Sequence, residues 1–200
     1  MDLKVSLKDS ETMNIDNIES QIKELLNQKR YIHSKNVSIT AAKLAEIYHA
    51  DPEKAAILGL VHDCAKDFTL SKQKQMLEQY KILLNKYELR MPGIWHSYIG
   101  SDMARDYFDI NDEEMLEAIY YHSTAKEQLS ILAKILYVAD KIEPNRKMFG
   151  VNSARKEARK NINQTMLILL NREILHLVQQ DKLIHPNTIK ARNSILYNII

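Results

Sequence analysis

The sequence is poor in cysteine, glycine and proline, and it has no long apolar run. Its single cysteine, Cys64, excludes an intramolecular disulfide and is typical of a reducing compartment. Four glycines and four prolines in 200 residues are too few for the many turns of a β-sheet protein. No apolar run approaches the roughly 20 residues that span a bilayer, and the first residues lack the apolar block of a signal peptide. We therefore expect a cytoplasmic protein that does not bind membranes.

The net charge of the chain is also small. Its 28 basic and 26 acidic residues leave a formal charge of +2, so we expect no nucleic-acid partner, although a local cationic pocket remains compatible with this balance. An apolar fraction of 45% excludes a disordered chain, and 200 residues suit one domain. We predict an all-α fold, a single-domain helical bundle over residues 15–200, preceded by a flexible polar arm at residues 1–14.

Apolar residues recur at helical spacing along most of the chain. Asp51-Pro52-Glu53 is typical of a helix start, with a capping aspartate and proline at the first helical position. Asn111 is predicted to cap a later helix, and one long helix is predicted from about residue 152 to residue 180. The segment 131–140 is apolar almost all round, which predicts a central buried helix.

Four candidate metal ligands lie on three of these predicted helices. His62 and Asp63 close an apolar helix, Asp140 closes the most buried one, and His33 begins the apolar stripe of another. A carboxylate that leaves a buried helix is costly unless it is paired, hydrogen-bonded or bound to a metal. The alternative for a lone histidine such as His33 is a core residue that is hydrogen-bonded to a backbone carbonyl, which is the commoner role.

Two imidazoles and two carboxylates suit iron, manganese, zinc or nickel better than calcium. Ligands from three separate helices would leave coordination positions open for water and a substrate oxygen. His96 and His122, also near helix ends, would extend the set to a second metal ion or to acid–base catalysis. For Cys64 we favour a small buried thiol over a nucleophile.

Cationic residues accompany these ligands in the sequence. Arg30 precedes His33 by three residues, Lys66 follows Asp63 by three, and Arg146 follows Asp140 by six. Guanidinium and ammonium groups bind phosphoryl oxygens and stabilise the charge that develops in phosphoryl transfer. The sequence contains no glycine-rich phosphate loop, so a metal ion and side chains would have to bind any phosphates.

This pattern resembles the HD superfamily of metal-dependent phosphohydrolases, and within it the bacterial YqeK family. The resemblance covers almost the whole chain beyond the first 15 or so residues. One departure is Ala125, where a glycine would be expected. The motifs that carry the resemblance are Arg30-Tyr31-x-His33-Ser34, Gly59-Leu60-x-His62-Asp63-x-Ala65-Lys66, His96, Tyr121-His122-Ser123-Thr124, Tyr137-Val138-Ala139-Asp140-Lys141-Ile142-Glu143-Pro144-x-Arg146 and Ile184-His185-Pro186-x-Thr188.

The resemblance implies an HD-type bundle and an iron-dependent bis(5′-nucleosyl)-tetraphosphatase that cleaves diadenosine tetraphosphate symmetrically into two ADP. It implies one iron ion, with a second one through His96 and His122, and manganese, zinc or nickel as substitutes. The implied metal ligands are His33, His62, Asp63 and Asp140, and the implied catalytic residues are Asp63, Lys66, His96 and His122. The implied substrate-binding residues are Arg30, His33, Asp63, Lys66, His96, His122, Ser123, Asp140 and Arg146 for the phosphates, and Ile184, His185, Pro186 and Thr188 for the nucleoside.

Two other functions stay open at this point. An HD-type nucleotidase or phosphodiesterase would use the same ligands on another nucleotide, because fold and metal set do not fix the substrate. A non-catalytic nucleotide-binding helical module is the second alternative. All of these predict a small-molecule partner, a dinucleoside polyphosphate or another nucleotide, and a homodimer is compatible with each.

Overall fold

The computed structural model describes residues 14–198, and within them the fold is all-α, as predicted. Two short 3-10 helices, Glu88–Arg90 and Pro92–Ile94, lie between residues 79 and 95. Residues 1–13 of the predicted arm and the last two residues of the chain lie outside the described part. The α-helices are α1 (Ile15–Leu25), α2 (Gln28–Ile47), α3 (Pro52–Val61), α4 (Leu70–Gln79), α5 (Trp95–Phe108), α6 (Glu113–Tyr121), α7 (Ile131–Ile142), α8 (Val151–Glu157), α9 (Ile162–Gln179) and α10 (Pro186–Tyr197).

Helix α7 is the centre of the bundle, which confirms the prediction for segment 131–140. It packs against α2, α3, α6, α8 and α9. Ile135, Leu136 and Val138 are fully buried within it, as is nearly all of Tyr137. Asp140 lies in the last turn of α7, and α7 packs against both α2 and α3.

Helices α2 and α3 pack closely, and Gly59 makes this possible. A Cβ atom built on Gly59 would overlap the backbone of Ser38 in α2, and it would lie 2.8 Å from the carbonyl carbon of Val37. The glycine therefore allows the two backbones to approach as no other residue would. This close approach brings the two helices that carry His33 and His62 together.

The predicted start of α3 is correct. The Asp51 side chain accepts hydrogen bonds from the backbone N–H groups of Glu53 and Lys54, and Pro52 is the first helical residue. The helix ends at Val61, and the residues that follow form turns up to Asp67. His62 and Asp63 therefore lie at the frayed end of the helix and not within its regular part.

Two predictions about helix boundaries are wrong. Asp112, and not Asn111, caps α6, because its carboxylate accepts from two backbone N–H groups of the first turn and also pairs with Lys54 of α3. The single helix predicted over residues 152–180 is two helices, α8 and α9. The hydroxyl of Tyr48, the residue after α2, donates to the Ala158 carbonyl where α8 ends, and Asn161 then caps α9.

None of the helices between residues 14 and 198 has the length and apolar character that crossing a membrane requires.

Candidate metal centre

The structure brings together all four predicted metal ligands. His33 lies in the second turn of α2, and His62 is the first residue after α3. Asp63 follows in the turn after α3, and Asp140 lies in the last turn of α7. All four side chains are buried, and His62 is completely inaccessible. Burying two carboxylates beside two imidazoles is costly unless a cation accompanies them.

The distances between the ligand atoms fit one metal ion. His33 Nε2 lies 3.1 Å from Asp140 Oδ1, and His62 Nε2 lies 4.0 Å from the same oxygen. One ligand atom each from His33, His62 and Asp140 falls within 4.8 Å of the other two. Small adjustments of these separations would place all three ligand atoms at metal–ligand distances of about 2.0–2.2 Å from one central ion.

Hydrogen bonds fix the orientation of both imidazoles. His33 Nδ1 donates to Glu143 Oε1 at 3.2 Å, and His62 Nδ1 donates to the Gly59 carbonyl at 2.9 Å. In each ring the remaining nitrogen, Nε2, is buried and has no hydrogen-bond partner. A metal site without its ion leaves buried ligand nitrogens unpartnered, and both of these nitrogens lie near the carboxylate of Asp140. The residues therefore fit a metal ion.

Glu143 is a supporting residue that the sequence did not indicate. Its carboxylate is 2% exposed and accepts from His33 Nδ1, from the Asn36 amide and from the Asn145 backbone N–H. A carboxylate behind a ligating histidine raises the basicity of the ligand and holds its ring in place. Glu143 belongs to the Asp140–Arg146 block, but only its contact with a residue 110 positions away shows what it does.

Asp63 joins this cluster to a second one. Its Oδ2 lies 3.5 Å from His62 Nε2, and its Oδ1 lies 3.2 Å from His96 Nε2 and 3.5 Å from His122 Nε2. One ligand atom each from His62, Asp63 and His122 also falls within 4.8 Å of the others. His122 Nδ1 donates to the Ile119 carbonyl at 2.7 Å, which leaves its Nε2 facing Asp63.

Charges and burial shift the protonation of this centre. Burial opposes ionisation of Asp63, yet the positive charge that His62 can carry outweighs burial and holds the pKa of Asp63 well below its usual value. Burial also opposes ionisation of Asp140, and the Lys141 ammonium outweighs it and holds that pKa low. Burial lowers the pKa of His122 to about 4 and also lowers the pKa of His96. Both carboxylates are therefore ionised at pH 7, whereas His96 and His122 are neutral.

His62 is shifted in the opposite direction. Burial disfavours its imidazolium form, but the adjacent charges of Asp63 and Asp140 raise the pKa of His62 above its usual value. A positive charge is thus favoured between the two carboxylates. A metal cation would supply that charge in place of the proton.

The predicted cations surround the two carboxylates. Arg30 Nη1 donates to Asp63 Oδ2 at 2.8 Å, and Arg146 donates through Nη2 to Asp140 Oδ1. Lys66 Nζ lies 3.2 Å from His96 Nε2, and burial lowers the pKa of Lys66. Lys141, which the sequence did not single out, lies 3.3 Å from Asp140 Oδ2 and lines one cleft together with Arg30, Lys66 and Arg146. These cations give the opening of the metal centre the character of an anion site.

Three clefts meet at this opening. The central cleft, about 290 Å³, is lined by residues that include Asp63, Lys66, His96, Ser123 and Arg146. The tail-side cleft, about 490 Å³, is lined by residues 90–94, Ser123, Thr124, Leu183, His185 and Thr188, among others. The α2-side cleft, about 570 Å³, is lined by Gln28, Lys29, Arg30, Ile32, His33, Glu143, Asn145 and Arg146. Glu173 of α9, another residue that the sequence did not indicate, lines both the central and the tail-side clefts.

The predicted nucleoside residues divide into two groups. His185 and Thr188 line the tail-side cleft, whereas Ile184 and Pro186 are not among the residues that line it. The polar atoms of His185 and Thr188 interact with other residues of the protein. His185 Nε2 lies 3.2 Å from Glu88 Oε1, and the Thr188 hydroxyl donates to the Thr124 carbonyl. Their contact with a nucleoside stays a prediction. Because their polar atoms are already hydrogen-bonded, they would contact the nucleoside through carbon atoms.

The structure also places the remaining predicted residues. Ser123 Oγ lies 3.3 Å from both His96 Nε2 and His122 Nε2, at the junction of two clefts. Ala125 has φ = 56°, in the left-handed region where glycine is usual, which explains why a glycine was expected there. Cys64 is fully buried, and burial raises the pKa of its thiol to about 12, as expected for a structural cysteine.

Comparison with known proteins places this geometry in a family. The HD domain family matches residues 30–145. The symmetrical bis(5′-nucleosyl)-tetraphosphatase of Staphylococcus aureus is 36% identical over 188 residues, 93% of this chain and 96% of that protein. The protein of the same name from Bacillus subtilis is 33% identical over 172 residues, 86% of this chain and 92% of that protein.

A solved structure has the same fold. It is the crystal structure of a predicted HD superfamily hydrolase involved in NAD metabolism from Clostridium acetobutylicum, which is 37% identical. It superposes with a TM-score of 0.89 over 92% of this chain and 98% of that one. The similarity therefore extends over nearly the whole length of both chains.

Proposed function

The chain belongs to the HD domain family, and on that premise we propose that it is a metal-dependent hydrolase that cleaves diadenosine tetraphosphate symmetrically into two ADP. The observation that carries the proposal is the buried cluster of His33, His62, Asp63 and Asp140, which opens into a cleft lined by cations. A metal ion beside cationic side chains complements a polyphosphate chain. The names of the two tetraphosphatase relatives supply the substrate.

The metal is assigned to His33, His62, Asp63 and Asp140, with iron as the resident ion and manganese, zinc or nickel as substitutes. The mixed nitrogen and oxygen donors and the two unpartnered imidazole nitrogens support this assignment. When bound, the ion supplies Lewis acidity, which activates water and withdraws charge from a phosphoryl oxygen. A second ion, held by His96 and His122 with Asp63 beside them, would take the place of the proton-transfer role of these two histidines.

The chain's own residues position the phosphates and move the protons. Arg30, Lys66 and Arg146 bind the phosphoryl oxygens and neutralise their charge during the reaction. Water adds to a central phosphorus, the bond from that phosphorus to its bridging oxygen breaks, and ADP departs with that oxygen. The proton that water loses passes to the pair of His96 and His122, whose Nε2 atoms lie 3.2 Å apart.

The nucleoside of one half of the substrate is assigned to the tail-side cleft. His185 and Thr188 line this cleft, and Ile184 and Pro186 are the neighbours of His185 at the start of α10. The single buried thiol of Cys64 supports a reducing compartment, for which we infer the cytoplasm. The homodimer stays a prediction.

Product analysis tests the proposed function. The purified protein is loaded with iron without oxygen, and the products from diadenosine tetraphosphate are separated by chromatography. We expect ADP as the sole nucleotide product, with deoxynucleoside triphosphates and cyclic dinucleotides turned over far more slowly. Release of ATP and AMP would refute symmetrical cleavage, and faster turnover of another nucleotide would transfer the assignment to that substrate.

Substitution of the residue that joins the two clusters tests the metal centre. Asp63→Ala should remove bound metal and reduce turnover to background, because Asp63 lies beside both ligand groups. Helical content measured by circular dichroism should be unchanged. The matched control is Asp16→Ala, an exposed aspartate of α1 that should keep metal and turnover. Full turnover by Asp63→Ala would refute the assignment.

A further inference from the structure

The α2-side cleft and the tail-side cleft share no lining residue, and each shares residues with the central cleft. Arg30 and Arg146 line both the α2-side cleft and the central cleft. Ile94 and Ser123 line both the tail-side cleft and the central cleft. The central cleft thus connects two larger ones, each within the 300–1,000 Å³ that ligand pockets typically occupy.

The walls of the α2-side cleft have the chemistry of a nucleotide site. The guanidinium groups of Arg30 and Arg146 lie where it opens towards the metal centre, and Lys29 adds a third cation. Ile32, 40% exposed, provides an apolar wall for a base or ribose, and Gln28 and Asn145 provide amide donors and acceptors.

The one carboxylate that lines this cleft does not oppose an anion there. Glu143 is buried, and three hydrogen bonds, from His33, Asn36 and the Asn145 N–H, already satisfy its carboxylate oxygens. At the inner end of the cleft, Arg30 uses Nη1 for Asp63 and Arg146 uses Nε and Nη2 for Asp140, which leaves the other N–H groups of both guanidiniums for a phosphate.

We propose that the α2-side cleft binds the second nucleoside 5′-phosphate of a dinucleoside polyphosphate, while the tail-side cleft binds the first. This inference rests on the proposed function and adds to it the site for the other half of the substrate. With one nucleoside on each side, the middle of the phosphate chain lies over the metal centre between Arg30 and Arg146. The position of cleavage is then set from both ends of the substrate, which explains a symmetrical outcome.

Substitution of Ile32 tests binding of the second nucleoside separately from binding of the first. Diadenosine tetraphosphate has two nucleosides, whereas adenosine 5′-tetraphosphate has one and gives ADP and pyrophosphate when it is cleaved at the same central position. For Ile32→Ala and Ile32→Glu we expect KM for the dinucleotide to rise about fivefold or more relative to KM for adenosine tetraphosphate, because uniform binding to the second nucleoside is lost. The rise should be larger for the glutamate variant.

Ile39 provides the matched control. It lies seven residues further along α2, on nearly the same helix face and about 10 Å away, and it is 47% exposed, much like Ile32. It does not line any of the three clefts described above. Ile39→Ala and Ile39→Glu should leave the ratio of the two KM values unchanged, and all four variants should unfold at the temperature of the wild type to within a few degrees.

The outcomes distinguish this inference from the proposed function. If the wild type releases two ADP but the Ile32 variants change neither KM, or change both equally, the second nucleoside site is refuted and the proposed function stands. If the wild type does not release two ADP from diadenosine tetraphosphate, the proposed function fails and the second site fails with it.

Discussion

Replacing Gly59 by alanine tests the contact on which the metal centre depends. The new methyl group would overlap the backbone of Ser38 and would lie 2.8 Å from the carbonyl carbon of Val37, where ordinary contacts begin at 3.4 Å. Backbone atoms cannot rotate away as a side chain can, so α2 and α3 would have to separate by more than half an ångström. That movement would also separate His33 from His62, because the two residues lie on these two helices.

The expected loss of stability is the difference between two effects. Alanine in place of glycine inside a helix favours the folded state by about 1 kcal/mol. Overpacking a well-packed core typically costs about 1–3 kcal/mol, and a clash with backbone belongs at the upper end of that range. The net destabilisation is therefore about 2 kcal/mol, which lowers Tm by about 4–8 °C in a chain of this size.

Gly100 provides the matched control for this prediction. It also lies inside a helix, α5, but a Cβ atom there would meet its neighbours at 3.5–3.6 Å, which is ordinary contact. Gly100→Ala should therefore leave Tm unchanged or raise it slightly. Thermal unfolding of both metal-free variants, with metal affinity measured by competition with a chelator, checks the reasoning. A Gly59→Ala variant as stable as Gly100→Ala, with unchanged metal affinity, would refute the idea that close packing of α2 and α3 builds the site.

Three further predictions follow from individual side chains. Glu143→Gln should weaken metal binding by about 10- to 100-fold in a chelator competition, because the carboxylate behind His33 is lost; equal affinity would contradict this role, and Glu24→Gln on the exposed part of α1 should have no effect. The Cys64 thiol, with its pKa raised to about 12, should resist iodoacetamide at pH 8 until the protein is unfolded, and mass spectrometry would reveal earlier alkylation. In the metal-free protein, burial lowers the pKa of His122 to about 4, so the stability that comes from keeping His122 neutral is complete above pH 6.5 and is lost as the pH falls towards 4. The ring resonances of His122 in NMR spectra should therefore titrate near pH 4. A midpoint near pH 6.5 would contradict the burial argument.

Local signals in the sequence were enough to predict much of the fold. Asp51 and Pro52 define a helix start through contacts within four residues, and the apolar character of segment 131–140 requires a buried position for α7 whatever surrounds it. The boundaries that were wrong depend on distant residues. Asp112 is held as a cap partly by Lys54, and the break between α8 and α9 lies where Tyr48 binds the Ala158 carbonyl.

The sequence by itself predicted the donor atoms of the candidate site, because the donor atoms that a side chain offers are a property of its residue type. The places of His33, His62, Asp63 and Asp140 at the ends and on the apolar faces of predicted helices made them candidate ligands, and the family resemblance favoured that role for His33 over a core position. Only the tertiary structure decided that Glu143 contacts His33, that Asp63 lies between two groups of candidate ligands, and that two larger clefts each adjoin the central one. The physical reason is that these features are distances between segments far apart in the chain, which packing of α2, α3 and α7 fixes and helical periodicity does not encode.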